Sequence, residues 1–399
     1  MVSKYAFIAG AALATTLSTF GVASADETGP IKIAFLAIDS GSFAAQMEEN
    51  ITGVKFAVDY INSLGGAGGR KFELVMGTDN GTPASAVTAA TRAIQQDGAK
   101  IVMGMFTSSI SASLSPKIAA LGAVMIDPWS QSDDLIGKSC GTNYFRTSTS
   151  NSMIVNAAKE FVKQSGIKSW DLISVDYAAG HDFATKFGTF VGDAGGKVNA
   201  SLFAPLGTTD FGSYISQLQA SPSEALFVTI FGSDTTAFTK QQAQFGLFKK
   251  YKLVLGNGFT SPSWLNAHGD ADLGVDETLS YDSSLPTPKN EAFVKAFHAT
   301  HVENPSYNDA DIFAGVELAA AAIDKAKSAE AEPLKAALAG LKTSTIFGDV
   351  ELRAADHQLV RQVLITEVVK GADGKPAFTV KANMAGPAII PPPSADCKM

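Results

Sequence analysis

The stretch GMFTSSISASLSP, residues 104–116, carries six side-chain hydroxyls where a strand-like apolar run gives way to a helix-like run. Such a cluster suits a serine nucleophile, a helix cap or a cradle for an anion. A hydrolase of the GxSxG type needs a serine on a sharp strand-to-helix turn, with a histidine and an acid nearby. This stretch contains no GxSxG, the GKSCG at residues 137–141 lies outside it, and none of the five histidines lies in a motif that ties it to these serines. The sequence therefore argues against a nucleophile.

The two remaining interpretations both follow from the geometry of a helix start. Ser and Thr accept hydrogen bonds from the first unpaired N–H groups of a helix, which makes them good caps. Several hydroxyls together with free N–H groups at the positive helix end also suit a carboxylate. From the residues alone, capping and capping combined with anion binding both remain open.

The elements around this cluster follow a βαβ rhythm. Four apolar runs are typical of strands: 31–38, 71–78, 100–106 and 123–127. The segments 51–64 and 83–96 between them have helical periodicity. The same alternation restarts after residue 150 and continues to about residue 275. Because strands joined by helices form parallel sheets with helices on both faces, we predict an α/β protein with two units of similar size.

The first 25 residues have the pattern of an export signal. Lys4 precedes a short apolar core, and Ala23-Ser24-Ala25 supplies the small-residue cleavage site. The residue directly after the cleavage site is Asp26 and not a cysteine, so we expect a soluble protein outside the inner membrane, without a lipid anchor. The net charge of −8 and the absence of a Lys/Arg cluster argue against nucleic-acid binding.

The chain has two cysteines, Cys140 and Cys397. An even count in an exported protein favours one disulfide over two free thiols. Neither cysteine lies in a CxxC-type spacing, which argues against a zinc site. His298 and His301 have a spacing that can hold a metal, but no third ligand is indicated, so we interpret them as surface histidines. The glycines of SLGGAGGRK follow a helix and precede a strand, which is the wrong order for a phosphate loop and typical of a helix end.

Polar clusters mark the ends of the predicted strands. Ligands of open parallel sheets bind outside the carboxyl ends of the strands. Five clusters have that position: IDSGSF, FTSSIS, DPWSQSDD, VDYAAGHD and GNGFTSPSW. We therefore expect two facing rims around a shared cleft. Four aromatic residues lie at or beside strand ends, where they either cover an organic ligand or pack in the core: Trp129, Tyr177, Phe259 and Tyr281.

The order of several motifs resembles a known family. INSLGGAGGRKFELV, TSSISASLSP, YFRT, PLGTTDFGSYISQLQ and AFTKQQAQFGL together resemble the leucine/isoleucine/valine-binding family of periplasmic solute-binding proteins, which serve ABC importers. The resemblance covers essentially the whole chain after the signal. It implies a type I periplasmic binding fold, in which two Rossmann-like lobes are joined by a three-crossover hinge and close around a ligand.

The resemblance also implies domain boundaries. The crossings are expected near residues 147–150, 277–283 and 354–360. Residues 1–25 would be the signal peptide, and lobe one would comprise 26–148 and 281–356. Lobe two would comprise 149–280 and 357–399, with an irregular, proline-rich C-terminal tail.

Matched to the family motifs, the ligand carboxylate is expected at Thr107, Ser108 and Ser109. The other walls of the binding site are expected to come from Ser42, Phe43, Gln46, Trp129, Ser130, Gln131, Tyr177, Ala179, Gly258, Phe259 and Tyr281.

One departure from the family bears on the ligand. Members that bind α-amino acids have an acidic residue where this chain has Gly258. An unpaired buried ammonium costs several kcal/mol, so we expect a small organic carboxylate, aromatic or branched, without an α-ammonium. An amino acid remains the alternative if Asp39, Asp176 or Asp311 reaches the site. Trp129 is bulkier than the usual family residue and would reshape the pocket or stack on a planar ligand.

The expected partners are this small carboxylate and a membrane permease. We expect a monomer without cofactor or metal, and no enzymatic activity. Two further hypotheses are a sensor module that presents ligand to a receptor and, less favoured, a hydrolase using the serine cluster.

The cysteine count gives a first prediction. Denatured, non-reduced protein is expected to titrate no free thiol, and reduction should release two. Two reactive thiols before reduction would show that the disulfide does not form.

Overall fold

The structure is a computed structural model of the chain, and it describes Met1 and residues 29–41, 43–163, 165–260 and 262–399. The predicted cleavage site after Ala25 and the candidate ligand residue Ser42 lie outside the described residues. Within the described ranges, no helix combines the length and apolar character needed to cross a bilayer.

The first sheet is formed by the N-terminal part of the chain. Its strands are β1 (Ile31–Ile38), β2 (Phe72–Asp79), β3 (Ile101–Met103), β4 (Val124–Asp127) and β5 (Tyr144–Arg146). They are all parallel, in the order β2-β1-β3-β4-β5. The connecting helices are α1 (Ala44–Ser63), α2 (Pro83–Gln95) and α3 (Ser108–Leu121). The central strand β1 is buried along nearly its whole length, as expected for a strand covered on both faces.

The second sheet begins after α4 (Asn151–Val162). Its parallel strands are β6 (Ser169–Val175), β7 (Lys197–Ala204), β8 (Ala225–Thr229), β9 (Leu253–Asn257) and β10 (Asp276–Leu279). The helices between them are α5 (Ala178–Asp193), α6 (Gly212–Ala220), α7 (Ser233–Phe245) and α8 (Pro262–His268).

The C-terminal part of the chain completes both lobes. Three helices extend the first lobe: α9 (Pro288–Phe297), α10 (Tyr307–Ala326) and α11 (Ala331–Leu338). A small sheet follows with β11 (Lys342–Thr345), β12 (Gly348–Leu352) and β13 (Leu359–Val360). The last strands, β14 (Val363–Lys370) and β15 (Pro376–Met384), then join β10 as antiparallel strands. The chain thus passes between lobes after β5, after β10 and after β13.

The structure corrects the extent of two predicted elements. The strand predicted over 100–106 ends at Met103, because Gly104 has a φ of 97° and a Cβ there would lie 2.4 Å from the carbonyl oxygen of Leu36. The helix predicted from residue 51 begins at Ala44. The glycine-rich segment after that helix is a helix end, as predicted, with the N–H of Gly66 donating to the carbonyl of Ile61 at 3.0 Å.

Buried arginines connect the crossings. Arg146, at the end of β5, is fully buried, and its Nε donates to Oε1 of Gln358 at 2.6 Å. Its Nη1 donates to the carbonyl of Ser132, also at 2.6 Å. Arg361, at the third crossing, is paired with Asp311 of α10, with 2.6 Å between Nη2 and Oδ1. Charged hydrogen bonds therefore fix the chain where it changes lobes.

The C-terminal tail crosses from one lobe to the other. Ile389 is buried beside Met153 and Ile365 of the second lobe. Further along, the carbonyl of Pro391 accepts from Nη1 of Arg353 at 2.7 Å. The structure bonds Cys397 to Cys140, with 5.5 Å between their Cα atoms. A disulfide that closes so long a loop stabilises the fold by a few kcal/mol, about 4–5 on the chain-entropy model.

The start of α10 gives a pH-dependent prediction. Oδ2 of Asp309 accepts hydrogen bonds from the N–H and the hydroxyl of Ser306, at 2.9 and 2.8 Å, in a capping box. Burial is the main cause that raises the pKa of Asp309 from 3.8 to about 6. Ionising this carboxyl is therefore harder in the folded than in the unfolded chain, so its contribution to the unfolding free energy falls as pH rises from about 4 to 6.

Asp309→Asn removes that titration. Between pH 4 and 7 the wild type is expected to lose up to about 3 kcal/mol more unfolding free energy than the variant does. Denaturant unfolding of both proteins at pH 4, 5, 6 and 7 measures the difference. Parallel pH curves for the two proteins would contradict the assignment.

Candidate functional site

The cleft between the lobes contains a cavity of about 50 Å³. Its lining residues are Phe106, Ser108, Trp129, Ser130, Gln131, Tyr177, Ala179, Phe231, Gly258, Tyr307, Asn308 and Asp311. All except the last three follow the C-terminal end of a strand: β3, β4, β6, β8 or β9. Both sheets therefore contribute strand ends to one site, and the first turn of α10 adds a third wall.

The structure brings together seven of the residues expected from the sequence. These are Ser108, Trp129, Ser130, Gln131, Tyr177, Ala179 and Gly258. Five lining residues are not among the expected site residues: Phe106, Phe231, Tyr307, Asn308 and Asp311. From the sequence, Asp311 is named only as one of three acids considered for binding an amino acid. Phe106 and Phe231 lie at the ends of predicted strands, and that position is a usable signal. The α10 residues carry only the capping-box signal Ser306-x-x-Asp309, which gives no indication of a ligand.

The hydroxyl cluster divides into a cap and a cavity wall. Thr107 is the N-cap of α3, and its Oγ1 accepts from the N–H of Ile110 at 3.4 Å. Ser108 is the first helical residue and lines the cavity, where its Oγ accepts from the N–H of Ser132 at 3.3 Å. Ser109 is partly buried and lies outside the cavity lining. Capping and cavity lining are thus assigned to neighbouring residues.

Asp127 holds the loop after β4 in place. Its Oδ1 accepts from the N–H groups of Trp129 and Ser130, at 3.1 and 3.0 Å. Its Oδ2 accepts from the hydroxyl of Ser111 at 2.6 Å, and the hydroxyls of Ser111 and Ser130 are 2.8 Å apart. This network fixes Ser130 and the Trp129 backbone at the cavity before any ligand binds.

Aromatic rings from both lobes form much of the wall. The ring of Trp129 meets the ring of Phe106 edge-on, with 5.2 Å between centroids. Tyr177 and Phe231 face the cavity from the second lobe, with ring centroids 6.4 Å apart. Burial raises the pKa of the Tyr177 hydroxyl above its ordinary value, so this group stays neutral. The wall is suited to a planar organic ligand.

Several predicted site residues lie elsewhere. Phe259 is fully buried among aromatic rings of the second lobe, including Phe238 at 6.0 Å. Tyr281 is buried in the first lobe, where its hydroxyl donates to Oδ1 of Asn290 at 2.8 Å. The ring of Phe43 packs at a tilt against the ring of Phe106, with centroids 4.7 Å apart. Gln46 is buried on α1. None of these four lines the cavity.

The position expected to carry an acid in amino-acid binders has no room for a side chain. Gly258 has a φ of 62°, and a Cβ there would lie 2.7 Å from the Phe231 ring. The nearby Glu277 is buried beneath the turn, and its Oε1 accepts from the N–H of Phe259 at 2.8 Å. Burial raises the pKa of Glu277 well above its usual range. Glu277 is not among the cavity-lining residues and does not replace the missing acid.

Of the three acids considered as substitutes, only Asp311 reaches the cavity. Asp39 and Asp176 are exposed, and Asp176 is bonded to His181 at 2.7 Å. Oδ1 of Asp311 is paired with Arg361, and its Oδ2 accepts from the Ser280 hydroxyl at 2.9 Å. The charge of Asp311 is therefore already neutralised.

The cavity lining lacks the residues needed for hydrolysis or metal binding. No histidine is among the lining residues, so Ser108 and Ser130 have no base beside them there. Among the residues that the structure describes, no group of three or more His, Cys, Asp and Glu side chains is arranged to hold a metal.

Comparison with known proteins agrees with this geometry. Residues 30–375 match the family model described as periplasmic binding protein. The chain belongs to that family. This confirms the resemblance seen in the sequence and the two-lobe α/β fold predicted from it.

Individual relatives are similar over most of their length. The Leu/Ile/Val-binding protein homolog 7 of Brucella suis biovar 1 is 27% identical over 345 residues, which cover 82% of this chain and 86% of the relative. The ABC transporter solute-binding protein of R. palustris in complex with benzoate is 25% identical, with a TM-score of 0.81, and the match covers 93% of this chain and all of the other. A second such protein, from Rhodopseudomonas palustris HaA2 in complex with p-hydroxybenzoic acid, is 22% identical with a TM-score of 0.82, covers 90% and 98% of the two chains, and shares the fold.

The binding protein's glycine at position 258 gives a prediction with a matched control. A Cβ at Gly269, where φ is 60°, would meet no atom of the described chain within 4 Å, whereas a Cβ at Gly258 would meet Phe231. Gly269→Ala should cost only the backbone strain, about 1 kcal/mol. Gly258→Ala should cost at least about 1 kcal/mol more, because the Phe231 ring must also move. Denaturant unfolding measures both, and equal losses would contradict the close contact.

Proposed function

We propose that this protein is the periplasmic substrate-binding protein of an ABC importer of the branched-chain amino acid type. Its ligand is a small aromatic carboxylate that lacks an α-ammonium. The observation that carries this proposal is the cavity itself, which combines buried hydroxyls at a helix start and aromatic rings with an acid that is already paired.

The carboxylate is assigned to the start of α3. Ser108 lines the cavity at the first position of this 14-residue helix, where free N–H groups and the positive end of the helix dipole favour an anion. Ser130 adds a second hydroxyl from the neighbouring loop. Thr107 and Ser109 support this segment from outside the cavity.

The rest of the ligand is assigned to the aromatic wall. Phe106, Trp129 and Tyr177 offer ring faces and edges that suit a planar ring. The relative from R. palustris whose structure contains benzoate is consistent with such a ligand. A cavity of about 50 Å³ is smaller than the roughly 150 Å³ that holds a benzene ring. The lobes must therefore separate for the ligand to enter.

Lobe movement provides the transport mechanism. We place lobe one at residues 26–148 and 281–356, and lobe two at 149–280 and 357–399. Export with cleavage after Ala25 delivers a monomer to the periplasm, where ligand stabilises the closed state and a membrane permease receives it.

An amino acid is the alternative ligand. The Brucella relative is named as a Leu/Ile/Val-binding protein homolog, and Asp311 lines the cavity. Pairing of Asp311 with Arg361 disfavours this alternative, because the carboxylate already has a cation. A sensor module that presents the same ligand to a receptor would use the same site.

A ligand screen tests the proposed class. Thermal shift followed by isothermal titration should detect benzoate and related aromatic acids, and leucine should bind at least about 100-fold more weakly, because its ammonium would be buried without a free partner. Tight binding of leucine together with no binding of any simple acid would contradict the proposal.

Two neighbouring hydroxyls should separate binding from stability. Thr107→Ala removes the cap of α3 and should lower the unfolding free energy by about 1 kcal/mol, with little effect on benzoate affinity. Ser108→Ala should weaken benzoate binding about tenfold, with a smaller loss of stability. Titration and denaturant unfolding of both variants measure the pattern. If Ser108→Ala loses stability with unchanged affinity, this serine is only part of the cap.

A further inference from the structure

The first turn of α10 gives the cavity a polar wall that is separate from the α3 hydroxyls. Asn308 is only 2% exposed and lines the cavity, yet its Nδ2 has no hydrogen-bond partner among the described residues. Leaving a buried amide donor unpaired is energetically unfavourable. Because buried polar groups are normally paired, an unpaired donor in a binding cavity indicates a group that the ligand itself supplies.

Asn308 is held in place independently of any ligand. The backbone carbonyl of Asn308 accepts a hydrogen bond from Nε1 of Trp129 at 3.4 Å, and this bond connects the helix start to the aromatic wall. The capping box of Ser306 and Asp309 fixes the backbone on either side. The amide is thus presented by a rigid helix start, which is a requirement for a specific contact.

Asp311 lies three residues further along the same helix and lines the same cavity. Its two oxygens accept from Arg361 and Ser280, and each carboxylate oxygen has a second lone pair. Burial raises the pKa of this carboxyl, although Arg361 and Ser280 act in the opposite direction. Arg361 already balances the charge of Asp311, so a second cation would gain little electrostatic stabilisation from it. Asp311 can still accept a further hydrogen bond.

A hydroxyl group satisfies both residues. It accepts a hydrogen bond from the amide of Asn308 and donates one to the carboxylate of Asp311. An ammonium only donates and would leave the Asn308 donor unpaired. An unsubstituted ring would leave the Asn308 donor unpaired and would give Asp311 no further hydrogen bond. The chemistry of this wall therefore matches a ligand with a hydroxyl.

We propose that Asn308 and Asp311 form a second polar pole that selects a ring hydroxyl, so that the ligands are hydroxy-substituted aromatic carboxylates. This inference rests on the proposed function, because the carboxylate is assigned to the α3 pole. The ligand is then bound at both poles, with its ring held against the aromatic wall between them.

The experiment compares benzoate with 2-, 3- and 4-hydroxybenzoate by isothermal titration of the whole protein. Three proteins are used: wild type, Asn308→Leu and Asn50→Leu. Asn50 is the matched control, because it is also fully buried with no partner for its amide among the described residues, but it lies outside the cavity lining. Both leucine variants keep the number and branching of the side-chain heavy atoms, and each removes one unpaired buried amide.

Wild type should bind at least one hydroxybenzoate about tenfold or more tightly than benzoate, since sites built to pair a ligand hydroxyl reject analogues that lack it. Asn308→Leu should reduce this preference to about twofold or less, because it should weaken binding of the hydroxybenzoate more than binding of benzoate. Asn50→Leu should leave the preference as in wild type. If Asn308→Leu does not fold, Asn308→Asp, which has the same size but no donor when ionised, should lose the preference as well.

The outcomes separate this inference from the proposed function. The proposal of a second polar pole is wrong if benzoate and all hydroxybenzoates bind equally, or if the preference for a hydroxybenzoate survives loss of the Asn308 donor. The proposed binding of aromatic carboxylates would stand in either case. If none of the four acids binds wild type, the proposed function itself fails.

Discussion

The buried ion pair between Asp311 and Arg361 connects the parts of the molecule on which ligand capture depends. Arg361 lies at the third crossing between the lobes, and Ser280, which also donates to Asp311, lies at the second. The guanidinium group stacks on Phe347, 3.8 Å from the ring centroid, so the cation is held from two sides. Removing one partner of such a buried pair typically costs about 3–5 kcal/mol, because the other charge remains buried. This ion pair therefore stabilises both the crossings between the lobes and the cavity wall formed by α10.

The same pair determines what the cavity can bind. An unpaired aspartate in this position would attract an ammonium, but a paired one offers only spare lone pairs. The anion is left to the start of α3, where Ser108 and the helix N–H groups meet the cavity. The separation of a neutralised acid on α10 from the proposed anion site on α3 is the basis for proposing a carboxylate ligand without a balancing ammonium.

Much of the architecture could be predicted from the sequence, because each strand is a short apolar run bounded by glycine or polar residues. The first strand was predicted at its observed bounds, 31–38. Seven cavity residues were also predicted, by matching the family motifs to segments that lie at strand ends. Gly104 shows the limit of this approach, because a close approach to Leu36, distant in sequence, ends the strand earlier than its composition indicates.

The α10 wall could not be predicted, because nothing local distinguishes Asn308 and Asp311 from other polar residues at a helix start. Their role depends on a helix that returns to the first lobe after the second crossing. Phe259 and Tyr281 show the converse: they flank strand ends, yet their rings turn into the two cores. Strand-end position predicts where a backbone lies, and only tertiary packing decides where the side chain points.

The most direct test of the central claim compares two ligands that differ only in an α-ammonium. Isothermal titration of the wild-type protein with 3-phenylpropanoate and with phenylalanine isolates the contribution of that group. The account predicts that the acid binds at least about 100-fold more tightly, since the ammonium would lose its hydration without gaining an unpaired anion. Tighter binding of phenylalanine would contradict it and would show that Asp311 serves the ligand despite its pairing with Arg361.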